Sequence, residues 1–118
     1  MSVCTNRIAV NGVVFDPNAA EWWQNDRSSG WQYEPNSGKI NLGLDLNTAH
    51  VQPNGAYHFH GIPKLLVEKL NPGGKPKLTL VGWAADGFPI YARWDYANAK
   101  DAKGGVREMK SSYRVKQG

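Results

Sequence analysis

Glycine and proline punctuate this chain so densely that long regular elements have little room. Thirteen Gly and seven Pro fall within 118 residues. Each one favours a turn, a positive φ or a fixed φ over continued helix or ladder. The pattern therefore predicts short strands and ordered loops in place of a helical bundle. Length suits one small domain. An apolar share of 41% that includes five Trp, five Tyr and three Phe supplies core material that a disordered chain lacks.

The punctuation also locates the elements. Apolar residues on both sides of Asn11-Gly12 predict a hairpin, because both central positions of such a tight turn favour positive φ. Residues 17–24 (PNAAEWWQ) read as one helical turn, with Asp16 as its cap and Pro17 in the first turn. Trp31-Gln32-Tyr33 reads as a short strand. Residues 39–46 (KINLGLDL) alternate cleanly, which predicts a longer one. Residues 47–55 read as a polar loop ending in the Pro53-Asn54-Gly55 turn, with extended chain over 56–60. Ile62 to Leu70 is the best helix, entered through Pro63, with Leu65, Leu66 and Leu70 on neighbouring positions of one face. Strands follow at 78–84, where Leu78, Leu80, Gly82 and Ala84 share one side, and at 88–94, joined by an Asp86-Gly87 turn. Residues beyond Tyr96 read as loop or weak helix, with a further short strand at 113–115. The fold expected is mainly β (α+β possible): a small single domain of short antiparallel strands, one short helix near 62–70 and long ordered loops.

Several function classes recede on composition. No stretch approaches the roughly 20 apolar residues of a membrane span, and MSVCTNRIAV lacks the basic-then-apolar pattern of a secretory signal. Residues 1–95 hold eight basic and eight acidic side chains, so the net charge of +4 comes entirely from residues 96–118. A nucleic-acid binder would set basic residues among aromatics on a folded face. The excess here reads instead as a solvated basic tail over 97–118, leaving 1–96 as the domain. The one cysteine, Cys4, excludes an internal disulfide and leaves a free thiol or a bond to a Cys outside this chain.

The chemistry concentrates in one stretch. All three histidines, His50, His58 and His60, fall within eleven residues. On extended chain, side chains alternate, so His58 and His60 point one way while Tyr57 and Phe59 point the other, toward the core. Two imidazoles about 6–7 Å apart along a strand can hold one metal ion, and neutral imidazole suits Zn, Cu, Fe and Ni. His50 joins them if residues 51–55 fold back as a hairpin. Asp45 and Asp86 are the carboxylate candidates, as ligands or as partners of a ligating ring's second nitrogen. The same residues also fit other uses. The rings can hydrogen-bond to backbone in a purely structural domain, or His58 or His60 can act as general base with Asp86 orienting it in a metal-free hydrolase. Trp22, Trp23, Trp31, Trp83 and Trp94 can serve as a stacking platform for a carbohydrate or cell-surface ligand, or simply as core.

The run GLDLNTAHVQPNGAYHFHGIP (43–63), followed by LVGWAADGFPIYARW (80–94), resembles the YHYH domain family. Its signature reads Tyr57-His58-Phe59-His60 here, with Phe in the third place; that ring is expected to face away from the histidines and to pack. The likeness extends from about residue 7 to 94 and implies a mostly β domain with a polar His/Asp site. It places His50, His58 and His60 around one pocket with Asp45, Asp86 and Tyr91 nearby, and Tyr57, Tyr91 and Asn47 where a substrate would sit. Copper or zinc is the ion such a site would take. Members resembling this chain usually run further, so the resemblance implies a shortened or N-terminal portion, with a C-terminal partner segment that could bond to Cys4. It also implies an extracellular or periplasmic location.

Overall fold

A computed structural model describes residues 7–114, 116 and 117. Among the described residues there are eight short strands, one α-helix and two 3-10 turns. The Asn11-Gly12 hairpin forms as expected: β1 (Ile8–Ala9) and β2 (Val14–Phe15) pair antiparallel with Ile8 opposite Val14. Next come β3 (Ala49–Val51), β4 (Tyr57–Phe59), α1 (Lys64–Leu70), β5 (Thr79–Trp83) and β6 (Pro89–Ala92). They complete a six-stranded sheet in the order β3-β4-β2-β1-β5-β6. It is not wholly antiparallel, because β2 and β4 run parallel. The segment between them loops out and returns.

Cross-strand partners share a sheet face, so the register sorts the side chains. One face carries the row Ala49–Phe59–Phe15 and the pair Ala9–Gly82. Phe15 and Phe59 meet with ring centroids 5.4 Å apart. Leu66 of α1 joins Ala9, Ala49 and Phe59 in the core. The opposite face carries the row His50–His58–Val14–Ile8–Trp83–Pro89. Thus the histidines occupy the face of the sheet turned away from the apolar core.

Four expectations are corrected by packing. Residues 39–46 form no strand. Their apolar positions Ile40, Leu42 and Leu44 do turn partly inward, but Gly43 at φ +66 breaks the extended path. Residues 17–22 form no helical turn, and the 3-10 turns come later, at Trp23–Asn25 and Arg27–Ser29. Leu80 and Gly82 do not share one side of β5, because the ladder shifts register between them; Thr79, Val81 and Gly82 are buried and Leu80 only partly so. On α1 only Leu66 is buried; Leu65 and Leu70 are exposed. Past Tyr96 the chain is not only loop: β8 (Val106–Glu108) pairs antiparallel with β7 (Trp94–Tyr96) in a second, two-stranded sheet. Residues 113 and 114 are not in a strand, while Val115 and Cys4 lie outside the described residues. Among the described residues, no helix is long and apolar enough to cross a membrane.

The core leaves no slack at Gly82. A Cβ there would sit 2.5 Å from the Ile8 carbonyl oxygen and 2.8 Å from the Phe15 ring. Gly82→Ala is expected to cost about 1–3 kcal/mol by overpacking, read as a lower urea midpoint. An unchanged midpoint would contradict this packing of β1, β2 and β5.

Candidate metal centre

The histidine site is built by the β3–β4 hairpin. The Gln52 amide donates to the Ala56 carbonyl at 2.9 Å and the Gly55 amide to Gln52 at 2.8 Å. The expected polar loop is therefore a strand and a tight turn. It sets His50 directly opposite His58. His60 follows β4 and is held at both backbone ends: its amide donates to the Thr48 carbonyl at 2.7 Å, and Asn36 Nδ2 donates to its carbonyl at 3.1 Å. Thr48 sits at φ 54, a costly conformation for a β-branched residue, and such strain tends to collect at functional sites.

The three rings form a near-regular triangle. Their centroids lie 4.6, 4.8 and 4.9 Å apart, with planes inclined by 64–71°. Nε2 of His60 is 3.0 Å from Nε2 of His58 and 3.1 Å from Nε2 of His50. His58 and His60 are only 4% and 5% exposed. Together these three residues can offer one ligand nitrogen each, all within 4.8 Å of one another.

Counting protons shows what this triangle needs. His50 Nδ1 lies 2.7 Å from the Leu42 carbonyl oxygen, and His58 Nδ1 lies 3.2 Å from that of Ala56. A carbonyl oxygen only accepts, so both Nδ1 atoms carry the proton. In the neutral rings both Nε2 atoms are then bare lone pairs. His60 has one proton to give. On Nε2 it serves one of two facing lone pairs and leaves the other opposed. On Nδ1 it leaves three lone pairs converging, and Nδ1 itself is buried without a hydrogen-bond partner. No neutral arrangement satisfies all the nitrogens. A cation at the centre would take up all three Nε2 lone pairs and leave only the His60 Nδ1–H without a partner, and Nδ1–H donation to backbone carbonyl, as at His50 and His58, is the usual support of a ligating histidine.

The carboxylates beside the rings are not the expected ones. Asp45 is a structural clamp: its Oδ1 accepts from the amides of Asn47 (2.7 Å) and Ala49 (3.1 Å), and its Oδ2 accepts from the Tyr57 hydroxyl at 2.5 Å. That Tyr57 hydrogen bond is the main cause of a lowered Asp45 pKa, and it raises that of Tyr57 in turn. Tyr57 therefore ties the start of β4 to the loop before β3; it is exposed and does not enter the core as expected. Asn47 caps α1, its Oδ1 accepting from the Leu65 amide at 2.9 Å. Asp86 is exposed in the β5–β6 turn, at the other end of the sheet from β3 and β4, and accepts from the Phe88 amide. Neither aspartate joins the histidine triangle. Phe59 is buried in the core, as its place in the motif predicted.

Sequence reasoning missed Asp16 and Glu21. Asp16 follows β2, and its amide donates to the Phe59 carbonyl at 2.8 Å, which carries the next residues across the histidine face. With Asn18, Gln52 and all three histidines they line a cavity of about 410 Å³, whose remaining wall is apolar. No local spacing signals this approach, because it depends on the parallel β2–β4 pairing. Tyr91 lines a second, largely apolar cavity of about 370 Å³, to which His60 also contributes.

Burial, then the nearby His58 and His50, lower the His60 pKa from its ordinary value. The unfolded chain thus takes up a proton at His60 at a pH where the folded chain does not. Stability attributable to this group is present above about pH 6.5 and is lost as pH falls through the folded value. Metal-free protein is expected to show a falling melting temperature on acidification below that point, and His60→Gln to flatten the slope. Tyr57→Phe removes a hydrogen bond to a charged acceptor, worth about 1.5–3 kcal/mol when buried and about 1 kcal/mol at this exposed position. A urea melt checks it; no change would mean that the clamp does not hold the hairpin.

The YHYH protein family profile matches residues 2–118, a wider span than the motifs at 7–94. No curated protein and no solved structure gave a significant match. With a match over essentially its whole length and with the Tyr-His-Phe-His run at the centre of its histidine triangle, the chain belongs to the YHYH protein family.

Proposed function

We propose that this domain binds one transition-metal ion, copper or zinc, through Nε2 of His50, His58 and His60. The proton count carries the reading: three Nε2 atoms converge, two of them committed as lone pairs by backbone carbonyls. The spacing supports it too. Bonds of about 2.0–2.1 Å to a tetrahedral ion put neighbouring nitrogens about 3.3 Å apart; the two separations from His60 Nε2 are 3.0 and 3.1 Å, and the three ligand nitrogens together lie within 4.8 Å. Depressed protonation of His60 favours the neutral, ligating form at pH 7.

Three protein nitrogens leave a coordination position free for water or substrate, and an ion held in that way supplies Lewis acidity and an acidified water. In this reading Asp16 and Glu21 add negative charge to the cavity beside the ion, while the Leu42 and Ala56 carbonyls orient two of the rings. The family resemblance supports an extracellular or periplasmic setting.

Calorimetric titration of tag-free, chelator-treated protein with Zn²⁺ and with Cu²⁺ tests the reading. One ion per chain is expected. His58→Ala and His60→Ala should each weaken binding by at least a hundredfold, and the ion should raise the melting temperature of the wild type alone. Equal heats in wild type and His58→Ala/His60→Ala would sink the proposal.

A further inference from the structure

Four aromatic residues, Trp22, Trp23, Trp31 and Tyr33, stand together just past the segment that crosses the histidine face. Trp22 and Gln32 form an isolated antiparallel bridge. Flanking it, the Trp23 amide donates to the Trp31 carbonyl at 2.9 Å and the Tyr33 amide to that of Glu21 at 3.0 Å. Trp23 therefore stands opposite Trp31, and Glu21 opposite Tyr33, on one side of a narrow ribbon, with Trp22 and Gln32 on the other. The Trp23 and Tyr33 rings pack with centroids 5.4 Å apart. Trp22, on the other side, lies under the Arg27 guanidinium. Trp23 is 48% exposed and Trp31 73%. The ribbon end is closed by hydrogen bonds: the 3-10 turns return the chain through backbone bonds and the Asp26 carboxylate, which accepts from both the amide and the hydroxyl of Ser28.

This aromatic side leads to the histidines. Glu21, two residues before Trp23, also lines the cavity with His50, His58 and His60. Two residues of extended chain span about 7 Å, a gap that a short oligosaccharide bridges. The geometry points to a neutral carbohydrate chain as the ligand of this site, stacked on Trp23 and Trp31 and entering the histidine cavity past Glu21. A pyranose ring has an apolar C–H face that lies flat on an indole, while its hydroxyls donate to carboxylate and amide oxygens such as those of Asp16, Glu21 and Gln52. Other occupants fit less well. Asp16 and Glu21 at the cavity repel sulfated or phosphorylated chains. A stable protein interface buries about 1,000 Å² or more in total, roughly half of it from each partner; rings of at most about 250 Å² each, with Trp23 48% and Trp31 73% exposed and Tyr33 half-buried, offer less than that half. Trp83 and Trp94 belong to neither ribbon face: Trp83 stands on the sheet and Trp94 in β7.

The inference rests on the proposed metal centre only for the role of the histidine end of the cavity. The test uses the full chain, metal-free and zinc-loaded, titrated with the hexasaccharides of cellulose, laminarin, chitin and xylan, and with a heparin hexasaccharide. Tryptophan fluorescence and calorimetry give the readouts. At least one neutral hexasaccharide is expected to saturate and to shift the emission. Trp31→Ala should weaken it tenfold or more, Trp31→Tyr should restore most of it, and Phe88→Ala should leave it unchanged. Zinc affinity should be the same in Trp31→Ala as in wild type. Silence from all four neutral chains, binding indifferent to Trp31→Ala, or heparin bound more tightly than any of them would each overturn the inference. So would Trp31-dependent self-association in sedimentation, which would make the rings a contact between copies. Glycan binding without zinc binding would leave the aromatic platform standing and remove the metal centre alone.

Discussion

Two carbonyl oxygens govern the chemistry of this domain. By accepting from Nδ1 of His50 and His58, Leu42 and Ala56 fix both tautomers and turn two Nε2 lone pairs toward a third. Everything that places those carbonyls and rings follows from one hairpin register. A slip of a single residue between β3 and β4 would send His50 to the core face. The tight turn at residues 52–55, the Asp45–Tyr57 clamp and the Thr48–His60 backbone bond all resist that slip.

The sheet is organised as a division of labour between its faces. Ala9, Phe15, Ala49 and Phe59 bury the apolar side against Leu66 of the helix. The other side begins with histidines at the β3–β4 edge and ends in exposed Val14, Ile8 and Trp83. Burial of His58 and His60 on that side comes from the segment after β2, which leaves the sheet past Asp16. A small domain thus obtains a recessed pocket beside the rings by laying a loop over one end of its main sheet. The motif residues divide accordingly: Phe59 builds the core, His58 and His60 face the pocket, and Tyr57 holds the loop that brings in His50.

Much of this was legible before any coordinates. Alternation alone put His58 and His60 on one side and Phe59 on the other, and the Pro53-Asn54-Gly55 turn allowed His50 to return to them. The helix over 64–70 and the first hairpin followed from Pro63 and Asn11-Gly12. Alternation misled at 39–46, where Leu42 and Leu44 turn partly inward without any strand to pair with. The segment serves instead by offering the Leu42 carbonyl. Asp45 and Asp86 were natural carboxylate candidates because they stand near the motif or recur in its company. Short acidic side chains in turns bond first to the amides two residues ahead, and both do so here.

What the sequence by itself determined is local: which side of a strand each ring takes, where turns reverse the chain, and that three imidazoles can meet. Those outcomes depend on backbone stereochemistry over a few residues. Only the tertiary structure decided which carboxylates accompany the imidazoles, that two carbonyls set their tautomers, and that Trp23 and Trp31 remain outside the core. The carboxylates arrive through the parallel pairing of β2 with β4, which joins residues more than forty positions apart. Chain order carries no signal for such a contact, because its free energy comes from burying Phe15 against Phe59 and not from any neighbouring residue.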